Sequence, residues 1–137
     1  MRVIGGGGQE RRRAQSASPY EAQFGFCRAL RVDDRILVSG TGPIEPDGST
    51  TPGDAGAQAT RCFAIAVAAI EDLGGTAADV VRTRMYVTDL ADQDLVGAAH
   101  ARAFGDHPPA ATMVGTPALV RDDWKVEIEV EAVIGTP

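Results

Sequence analysis

The chain has 137 residues, of which 44% are hydrophobic and 23% are charged, as expected for one soluble globular domain. Its net charge of -6 argues against a nucleic-acid partner, because such binding depends on a basic surface. No apolar run reaches the ~18 residues of a membrane span, and the N-terminus lacks the apolar core of a signal peptide, so we expect a cytoplasmic protein without membrane contact.

The N-terminal part of the chain predicts a loosely held segment followed by a hairpin. Residues 1–17 are rich in Gly, Arg and Ser, and we expect a flexible segment or an edge strand there, ahead of a single domain over residues 18–137. Phe24 to Val32 and Arg35 to Gly40 are predicted to form two strands, joined by a tight turn at Asp33-Asp34.

Two amphipathic helices follow. The first is predicted from the N-cap Asp54 to Gly74-Gly75, a pair typical of a helix C-terminus. Its apolar positions recur every three or four residues and are Ala55, Ala59, Cys62, Phe63, Ala66, Val67, Ile70 and Leu73. The second is predicted from Asp92 or Gln93 to Phe104, with a buried line of Leu95, Ala99 and Ala103. Gly97 in its middle costs about 1 kcal/mol against alanine, which indicates either close packing or simple tolerance.

Three further strands are predicted at Asp79 to Thr88, Ala111 to Val114 and Trp124 to Ile134. The first has one face with Val81, Thr83, Met85 and Val87 and another with Arg82, Arg84 and Tyr86. The last strand alternates with period two throughout. Its apolar face comprises Trp124, Val126, Ile128, Val130, Ala132 and Ile134, and its polar face comprises Lys125, Glu127, Glu129 and Glu131. Because unpaired charges are costly to bury, the polar face must meet solvent or cationic partners.

The order of these elements indicates an α+β fold with a mixed sheet of five or six strands. Two helices can cover one face of such a sheet and leave the other face uncovered. That uncovered face would carry Arg82, Arg84, Glu127, Glu129 and Glu131. A polar sheet face of this kind suits symmetric packing between subunits, so we expect a homo-oligomer.

Sequence pattern alone indicates no established catalytic motif, and we expect neither a metal nor a cofactor. His100 and His107 allow a metal site, but surface or core-edge histidines are the favoured interpretation. Cys27 and Cys62 are too few and too far apart for a metal knuckle, and a reducing compartment disfavours a disulfide. The run Ser39-Gly40-Thr41-Gly42 lacks the spacing of a phosphate loop. It is better explained as a strand end that a ligand or a neighbouring subunit approaches.

Six short motifs occur together in an order and at a spacing that resemble one protein family. They are Ser18-Pro19-Tyr20, Ile36-Leu37-Val38-Ser39-Gly40, Gly74-Gly75 with Asp79-Val80-Val81-Arg82, Tyr86-Val87-Thr88-Asp89-Leu90, Pro109-Ala110 and Val126-Glu127-Ile128-Glu129. Each motif is weak alone. In register over roughly residues 18–134, they resemble the Rid family, the reactive intermediate deaminases, also called YjgF-like and formerly endoribonuclease L-PSP.

The resemblance implies a chorismate-mutase-like fold and a homotrimer with clefts between its subunits. Well-studied members hydrolyse reactive enamines and imines, such as 2-aminoacrylate, to a keto acid and ammonia. In those members a cleft arginine, placed after the Pro-Ala pair, grips the substrate carboxylate. A glutamate in the last strand is associated with the attacking water, and a tyrosine, a Ser-Gly backbone and a helical asparagine complete the cleft.

Carried over residue by residue, this pattern is only partly present. The positions that match are Tyr20, Ser39, Gly40 and Glu127. Ala111 stands at the arginine position, Met113 stands at a position that is often cysteine, and Gly97 replaces the asparagine. A bidentate guanidinium–carboxylate contact is strong and geometrically specific, so its loss predicts weak binding of carboxylate-bearing substrates and a preference for less charged ligands.

Arg84 offers one replacement for the missing guanidinium, because it lies on the polar face of the strand next to the cleft. The favoured alternative is that Arg82 and Arg84 pair with Glu129 and Glu131 across neighbouring strands. Glu127 likewise has two interpretations of equal weight, as a catalytic base or as a structural partner of such an arginine.

Two functions from different classes follow. The first is a trimeric Rid-like hydrolase of an imine or enamine other than 2-aminoacrylate, with Glu127 as general base and Tyr20 and the Ser39-Gly40 backbone as substrate contacts. The second is a non-catalytic trimer that binds a small metabolite or a partner enzyme in the same clefts. The missing arginine favours the second for amino-acid imines, whereas the retained Tyr20 and Glu127 favour the first. A ribonuclease is disfavoured by the acidic pI near 4.8.

Overall fold

The computed structural model describes residues 2–6 and 10–135 of the chain. The strands are β1 (Arg2–Gly6), β2 (Arg11–Gln15), β3 (Ala29–Val32), β4 (Arg35–Thr41), β5 (Val80–Val87), β6 (Ala110–Gly115) and β7 (Val126–Val133). The helices are α1 (Tyr20–Phe24), α2 (Ala55–Asp72) and α3 (Gln93–Phe104), with short 3-10 turns at Ala77–Asp79 and Leu90–Asp92.

The strands form one mixed sheet in the order β1-β2-β3-β4-β7-β5-β6. All neighbouring pairs are antiparallel except β5 and β6, which run parallel because α3 crosses over between them. The α+β class, the mixed sheet and the chorismate-mutase-like fold are confirmed. The described sheet has seven strands, one more than the upper number expected, because β1 pairs along its length with β2.

The long helices α2 and α3 pack on the same face of the sheet, and the hydrophobic core lies between these two layers. Helix α2 begins where the Asp54 carboxylate accepts a hydrogen bond from the Ala57 backbone N–H at 2.9 Å. It ends before Gly74, whose φ of +94° is a conformation that glycine adopts without strain. The largest fully buried side chains include Phe63, Ile36, Ile70, Leu73, Ile128, Val87 and Val96.

The predicted strand from Phe24 to Val32 is wrong over its first half. Residues Tyr20–Phe24 form the short helix α1, and strand pairing starts only at Ala29. Gly25 follows α1 with a φ of +76°, and its N–H donates to the Glu21 carbonyl at 2.9 Å. The Glu21 carboxylate accepts hydrogen bonds from Ser16 and from Arg28 Nε, polar contacts that no apolar pattern reports.

The buried line expected along α3 is also partly wrong. Val96, Ala99 and Phe104 are buried, whereas Leu95 is 43% exposed. Phe104 packs edge-on against Phe63 of α2, with ring centroids 5.4 Å apart, and this contact sets how α3 is rotated about its axis. A Cβ added at Gly97 would meet no described atom within 4 Å, so close packing within the chain does not explain that glycine.

Strand β5 departs from simple alternation at its start. A bulge lies between Val80 and Arg82 in the pairing with β7, so Val80 enters the core and Val81 is 46% exposed. Further along, Thr83, Met85 and Val87 face the core as expected.

The sheet face opposite the helices is polar and is uncovered by any described element. On it, the Glu131 carboxylate lies 3.8 Å from Arg35 and 3.5 Å from Arg84, and Tyr86 donates a hydrogen bond to Glu129. Charged and polar side chains on this face thus pair with partners on neighbouring strands, which reduces the electrostatic cost of placing three glutamates on one face. Among the described residues, no helix is long and apolar enough to cross a bilayer.

Candidate functional site

A cavity of about 510 Å³ opens where α1, the end of β4, one flank of α2 and the loop before β7 meet. Its wall is mainly apolar and includes the aromatic side chains Tyr20, Phe24, Phe26 and Trp124. The charged side chains in the wall are Arg28, Glu45, Arg61 and Glu127. Few polar groups in an apolar concavity are typical of small-molecule sites.

Glu127 reaches this cavity from β7. A Cβ added at Gly40 would lie only 3.2 Å from Glu127 Oε2, so the glycine of β4 leaves the space that the carboxylate occupies. The carboxyl group is partly buried, and this burial raises the pKa of Glu127, an effect that nearby Arg28 opposes and Glu129 reinforces. Within the described part of the chain, no hydrogen bond or ion pair reaches the Glu127 carboxylate.

Arg28 forms the buried polar anchor of the site. Its Nε lies 3.2 Å from Glu21 Oε2, and both side chains are about 95% removed from solvent. Its Nη1 donates to the Gly40 carbonyl at 2.6 Å and to Thr41 Oγ1 at 2.9 Å. The guanidinium therefore fixes the backbone of β4 where it passes Glu127, and its own charge is balanced by Glu21.

Arg61 of α2, in the same cavity wall, also bonds both a backbone carbonyl and a carboxylate. Its Nε donates to the Ile44 carbonyl at 2.9 Å and lies 3.1 Å from the Glu45 carboxylate. Both partners of the ion pair are about one-third exposed, so the contact orients the loop after β4 more than it stabilises the fold.

Tyr20 is held by aromatic and cationic contacts at the mouth of the cavity. Its ring stacks on Phe24 at 5.9 Å and meets Trp124 edge-on at 6.2 Å. Its hydroxyl oxygen accepts a hydrogen bond from Arg121 Nε at 2.9 Å, and the Arg121 guanidinium lies over both rings. Gly42 is required beneath this cluster because any Cβ there would overlap the Trp124 ring.

The structure brings together three of the predicted site residues, since Tyr20, Gly40 and Glu127 all line the cavity. Ser39 lies beside Gly40 but lines a second, shallower depression, and its hydroxyl donates to the Cys27 carbonyl at 2.7 Å. Within one chain, the remaining predicted residues do not line the cavity; these are Arg84, Ala111 and Met113.

Those residues lie on β5 and β6. Ala111 is exposed and pairs in register with Thr83, while Met113 pairs with Met85 and packs partly against the core. Arg84 points to the uncovered sheet face and pairs with Glu131, as the structural interpretation of this arginine expects.

Arg82 also stays on that uncovered face, where its Nη2 donates to Thr112 Oγ1 at 2.8 Å. Within the described residues Arg82 forms no ion pair with Glu129 or Glu131, so the expected pairing holds for Arg84 and not for Arg82, which does not line the cavity.

Sequence reasoning missed Phe26, Arg28 and Arg61 in the cavity wall. Arg28 carries a detectable signal, because it is a cation with apolar residues on both sides, Cys27 and Ala29, inside the segment predicted as a strand. A charge in such a run needs a partner when it is buried. Its partner Glu21 and the helical turn that presents it became visible only in the fold.

The histidines and cysteines contribute no metal site within the described residues. His100 Nε2 forms a hydrogen bond with Thr83 Oγ1 at 2.8 Å, and burial between α3 and β5 lowers the pKa of the imidazole. Cys27 and Cys62 are free thiols. Burial of Cys62 strongly raises the pKa of its thiol, so this cysteine is a core residue.

Comparison with known proteins decides the family. The model of the family described as endoribonuclease L-PSP matches residues 16–134. The chain belongs to the endoribonuclease L-PSP family. An uncharacterised protein of Streptomyces coelicolor is 37% identical over 124 residues, covering 90% of this chain and 92% of that protein. The Escherichia coli 2-iminobutanoate/2-iminopropanoate deaminase is 31% identical over 111 residues, covering 79% of this chain and 84% of the enzyme.

Solved structures of the L-PSP family agree with the fold. A Mycobacterium tuberculosis member of the YjgF/YER057c/UK114 family superimposes with a TM-score of 0.82 at 38% identity, covering 90% of this chain and 99% of the other. The YjgF gene product of Escherichia coli superimposes with a TM-score of 0.76 at 32% identity, covering 88% and 95%. The resemblance found in the six sequence motifs is thus confirmed as family membership.

Proposed function

We propose that this L-PSP family member hydrolyses an imine or enamine intermediate to a carbonyl compound and ammonia. The proposal builds on its relationship to a protein named as an imine deaminase. The observation that carries it is the Glu127 carboxyl group, which faces an apolar cavity, is partly buried and is unpaired within the described residues. Burial raises the pKa of Glu127 above its ordinary value, the direction that makes its carboxylate a stronger general base.

In the proposed reaction, Glu127 accepts a proton from water as the water oxygen bonds to the iminium carbon. The C=N π electrons move to nitrogen and a neutral carbinolamine forms. Glu127 then returns the proton to nitrogen, the C–N bond breaks and ammonia leaves. The remaining protonated carbonyl gives its O–H proton back to Glu127, which passes it to ammonia. One iminium ion and one water thus yield one carbonyl compound and one ammonium ion.

The proposed substrate is not 2-aminoacrylate or its imine 2-iminopropanoate. Ala111 supplies no guanidinium at the position where deaminating relatives hold the substrate carboxylate, and Arg84 is paired with Glu131. Ser39, Ala111 and Met113 remain proposed contacts only if the cleft is completed by a second subunit, because none of them lines the cavity of one chain.

A homotrimer is part of the proposal. Its support is the sheet face that α2 and α3 leave uncovered, which carries paired charges together with the 37% exposed Leu37. An edge strand such as β6, with Ala111 exposed on it, is suited to border a neighbouring subunit.

The second candidate is a non-catalytic trimer that binds a small metabolite or a partner enzyme in the same cavity. Alanine at position 111 favours it, because the contact that orients amino-acid imines is missing. The two candidates differ in one respect, namely whether Glu127 is needed for turnover or only for binding.

The deciding experiment compares Glu127→Gln with the matched variant Glu131→Gln. Imines generated in situ by an amine oxidase are offered to each protein, and carbonyl release is measured above spontaneous hydrolysis. We expect Glu127→Gln to lose about 10²- to 10⁴-fold in rate, whereas Glu131→Gln, on the same strand but beside Arg35 and Arg84 on the uncovered face, keeps its rate. No acceleration by the wild-type protein on any imine would leave the binding candidate.

A further inference from the structure

Three guanidinium groups lie in the cavity wall or at its mouth, and one of them has no carboxylate partner among the described residues. Arg28 is paired with Glu21, and Arg61 is paired with Glu45. Arg121 forms no ion pair within the part of the chain that the structure describes. Its positive charge is therefore the one among these three that an anion from outside can join without displacing a protein carboxylate.

Arg121 is held in place by neutral groups. Its Nε donates to the Tyr20 hydroxyl oxygen at 2.9 Å, and its Nη1 donates to the Gly48 carbonyl at 2.8 Å. The guanidinium carbon lies 5.5 Å from the centre of the Tyr20 ring and 5.7 Å from that of Trp124, and both rings line the cavity. The residue is partly exposed, and no described residue accepts a hydrogen bond from its Nη2. A guanidinium with a fixed orientation and unused donors is suited to bind an anion.

The acidic residues that follow Arg121 in the chain do not neutralise it. Neither Asp122 nor Asp123 forms an ion pair with it within the described residues, and the Asp123 carboxylate accepts a hydrogen bond from the Thr50 hydroxyl at 3.0 Å. Both aspartates are exposed, so water and salt screen their charges.

Arg121 also lies at a distance from the carboxyl group that is proposed to act on the substrate. Arg28 bonds the Gly40 carbonyl next to Glu127, and its charge acts on the pKa of Glu127. The charge of Arg121 has no comparable effect on that pKa, and its guanidinium is bonded to Tyr20 at the cavity mouth. An anion held by Arg121 is therefore remote from a carbon atom that reacts beside Glu127.

We propose that the substrate is an imine whose carboxylate is separated from the C=N carbon by several bonds, and that Arg121 binds this carboxylate. The inference rests on the hydrolase proposed above and specifies its substrate class. The imine carbon lies beside Glu127, and the intervening chain lies against the apolar wall. A 2-imino acid does not fit both ends, because its carboxylate is bonded directly to the imine carbon. Hydrolysis yields ammonium and a carbonyl compound that carries the distal carboxylate.

The first test measures binding without turnover, with an ammonium group in place of the iminium. 6-Aminohexanoate and 6-aminohexanamide, which differ only in a terminal carboxylate or carboxamide, are titrated into the full chain and followed by calorimetry. We expect the carboxylate to bind the unmodified protein at least about tenfold more tightly. Arg121→Gln should abolish this difference, and Arg102→Gln, altered at an exposed position of α3, should keep it. Equal binding of the two compounds to the unmodified protein would overturn the inference.

The second test measures turnover of the corresponding imines. An amine oxidase that accepts both amines generates them in situ, and hydrogen peroxide release reports how much of each imine is supplied. The carboxylate-bearing imine is expected to show a kcat/KM at least about tenfold higher than the carboxamide. It should also exceed 2-iminohexanoate, made from norleucine by an amino-acid oxidase. Faster hydrolysis of either comparison imine would overturn this inference and leave the hydrolase proposal in place.

Variants of Arg121 distinguish an anion anchor from a residue that only holds the cavity mouth together. Arg121→Gln should raise KM for the carboxylate-bearing imine about tenfold and leave the carboxamide imine unchanged. Arg121→Lys keeps the charge and should retain a preference for the carboxylate. An equal loss on both imines would show a purely structural role, and loss of the preference in Arg61→Gln alone would assign the anchor to Arg61. Either result would overturn the inference.

The binding and turnover tests separate the two proposals. Binding of 6-aminohexanoate through Arg121, with hydrolysis of no imine, would support the anchor and overturn the hydrolase. Hydrolysis of the carboxylate and carboxamide imines at equal rates would do the reverse.

Discussion

At the scale of single residues, the chemistry of this protein depends on what stands at a few positions of the cavity. Gly40 and Glu127 are matched to each other, because any side chain at position 40 would press on the carboxylate. Gly42 and Trp124 are matched in the same way. Such pairs explain why glycines lie on both sides of the buried Thr41 at the end of β4.

The substitution Ala111→Arg should move substrate preference toward carboxylate-bearing imines. The position is exposed on β6, so the longer side chain needs no space in the core. One guanidinium anchor contributes about 3 kcal/mol, so kcat/KM for 2-iminopropanoate should rise roughly a hundredfold, measured as pyruvate release.

The unmodified protein and Arg84→Ala are the controls for that variant. Both should process 2-iminopropanoate slowly. Brisk hydrolysis by the unmodified protein that persists in Arg84→Ala would show that this protein does not need an arginine at position 111. Activity that Arg84→Ala abolishes would instead identify Arg84 as the replacement.

At the scale of secondary structure, a buried hydrogen bond between His100 and Thr83 links α3 to the sheet in an otherwise apolar setting. Thr83 of β5 is fully buried, and its hydroxyl bonds His100 Nε2 while Phe63 and Phe104 flank the imidazole. Removing one partner leaves the other unsatisfied, whereas replacing both with apolar side chains of similar shape is nearly neutral.

His100→Leu should therefore lower the free energy of unfolding by about 1–3 kcal/mol, and adding Thr83→Val should recover most of that loss. The measurement is chemical denaturation of both variants. Equal stability of the single and double variants would contradict the role given to this hydrogen bond.

The same histidine predicts a pH dependence of stability. Burial holds the pKa of His100 below its ordinary value of 6.5, so the unfolded chain takes up a proton first as the pH falls. Stability should be full above pH 6.5 and decrease from there down to the lowered folded pKa. The His100→Leu/Thr83→Val protein should lack this part of the loss, whereas His107→Gln, altered at an exposed position, should keep it.

At the scale of the whole molecule, the uncovered sheet face is the surface that we expect to contact neighbouring subunits of a homotrimer. We expect light scattering at micromolar concentration to give three times the 14.3 kDa of one chain. Leu37→Glu adds a charge opposite Glu131 on that face and should shift the mass downward, whereas Leu95→Glu, on the exposed side of α3, should not. A stable monomer of the unmodified protein would contradict the trimer.

Local sequence determined the elements and much of their orientation. Strand β7 is predictable because its side chains alternate with a period of two from Val126 onward. Helix α2 is predictable because its apolar residues recur with the period of 3.6 that a helix has. The same chain also revealed its family through six motifs, and with it Tyr20, Gly40 and Glu127 as cavity residues.

Tertiary structure alone decided how those residues meet and which others join them. Gly40 reaches Glu127 only because β4 pairs with β7, a contact between distant parts of the chain that no local period encodes. The ion pair of Arg28 with Glu21 depends on the helical turn of α1, which the local pattern does not predict. The acidic partner of each arginine in the cavity wall, Glu21 for Arg28 and Glu45 for Arg61, is likewise set by distances in the folded chain.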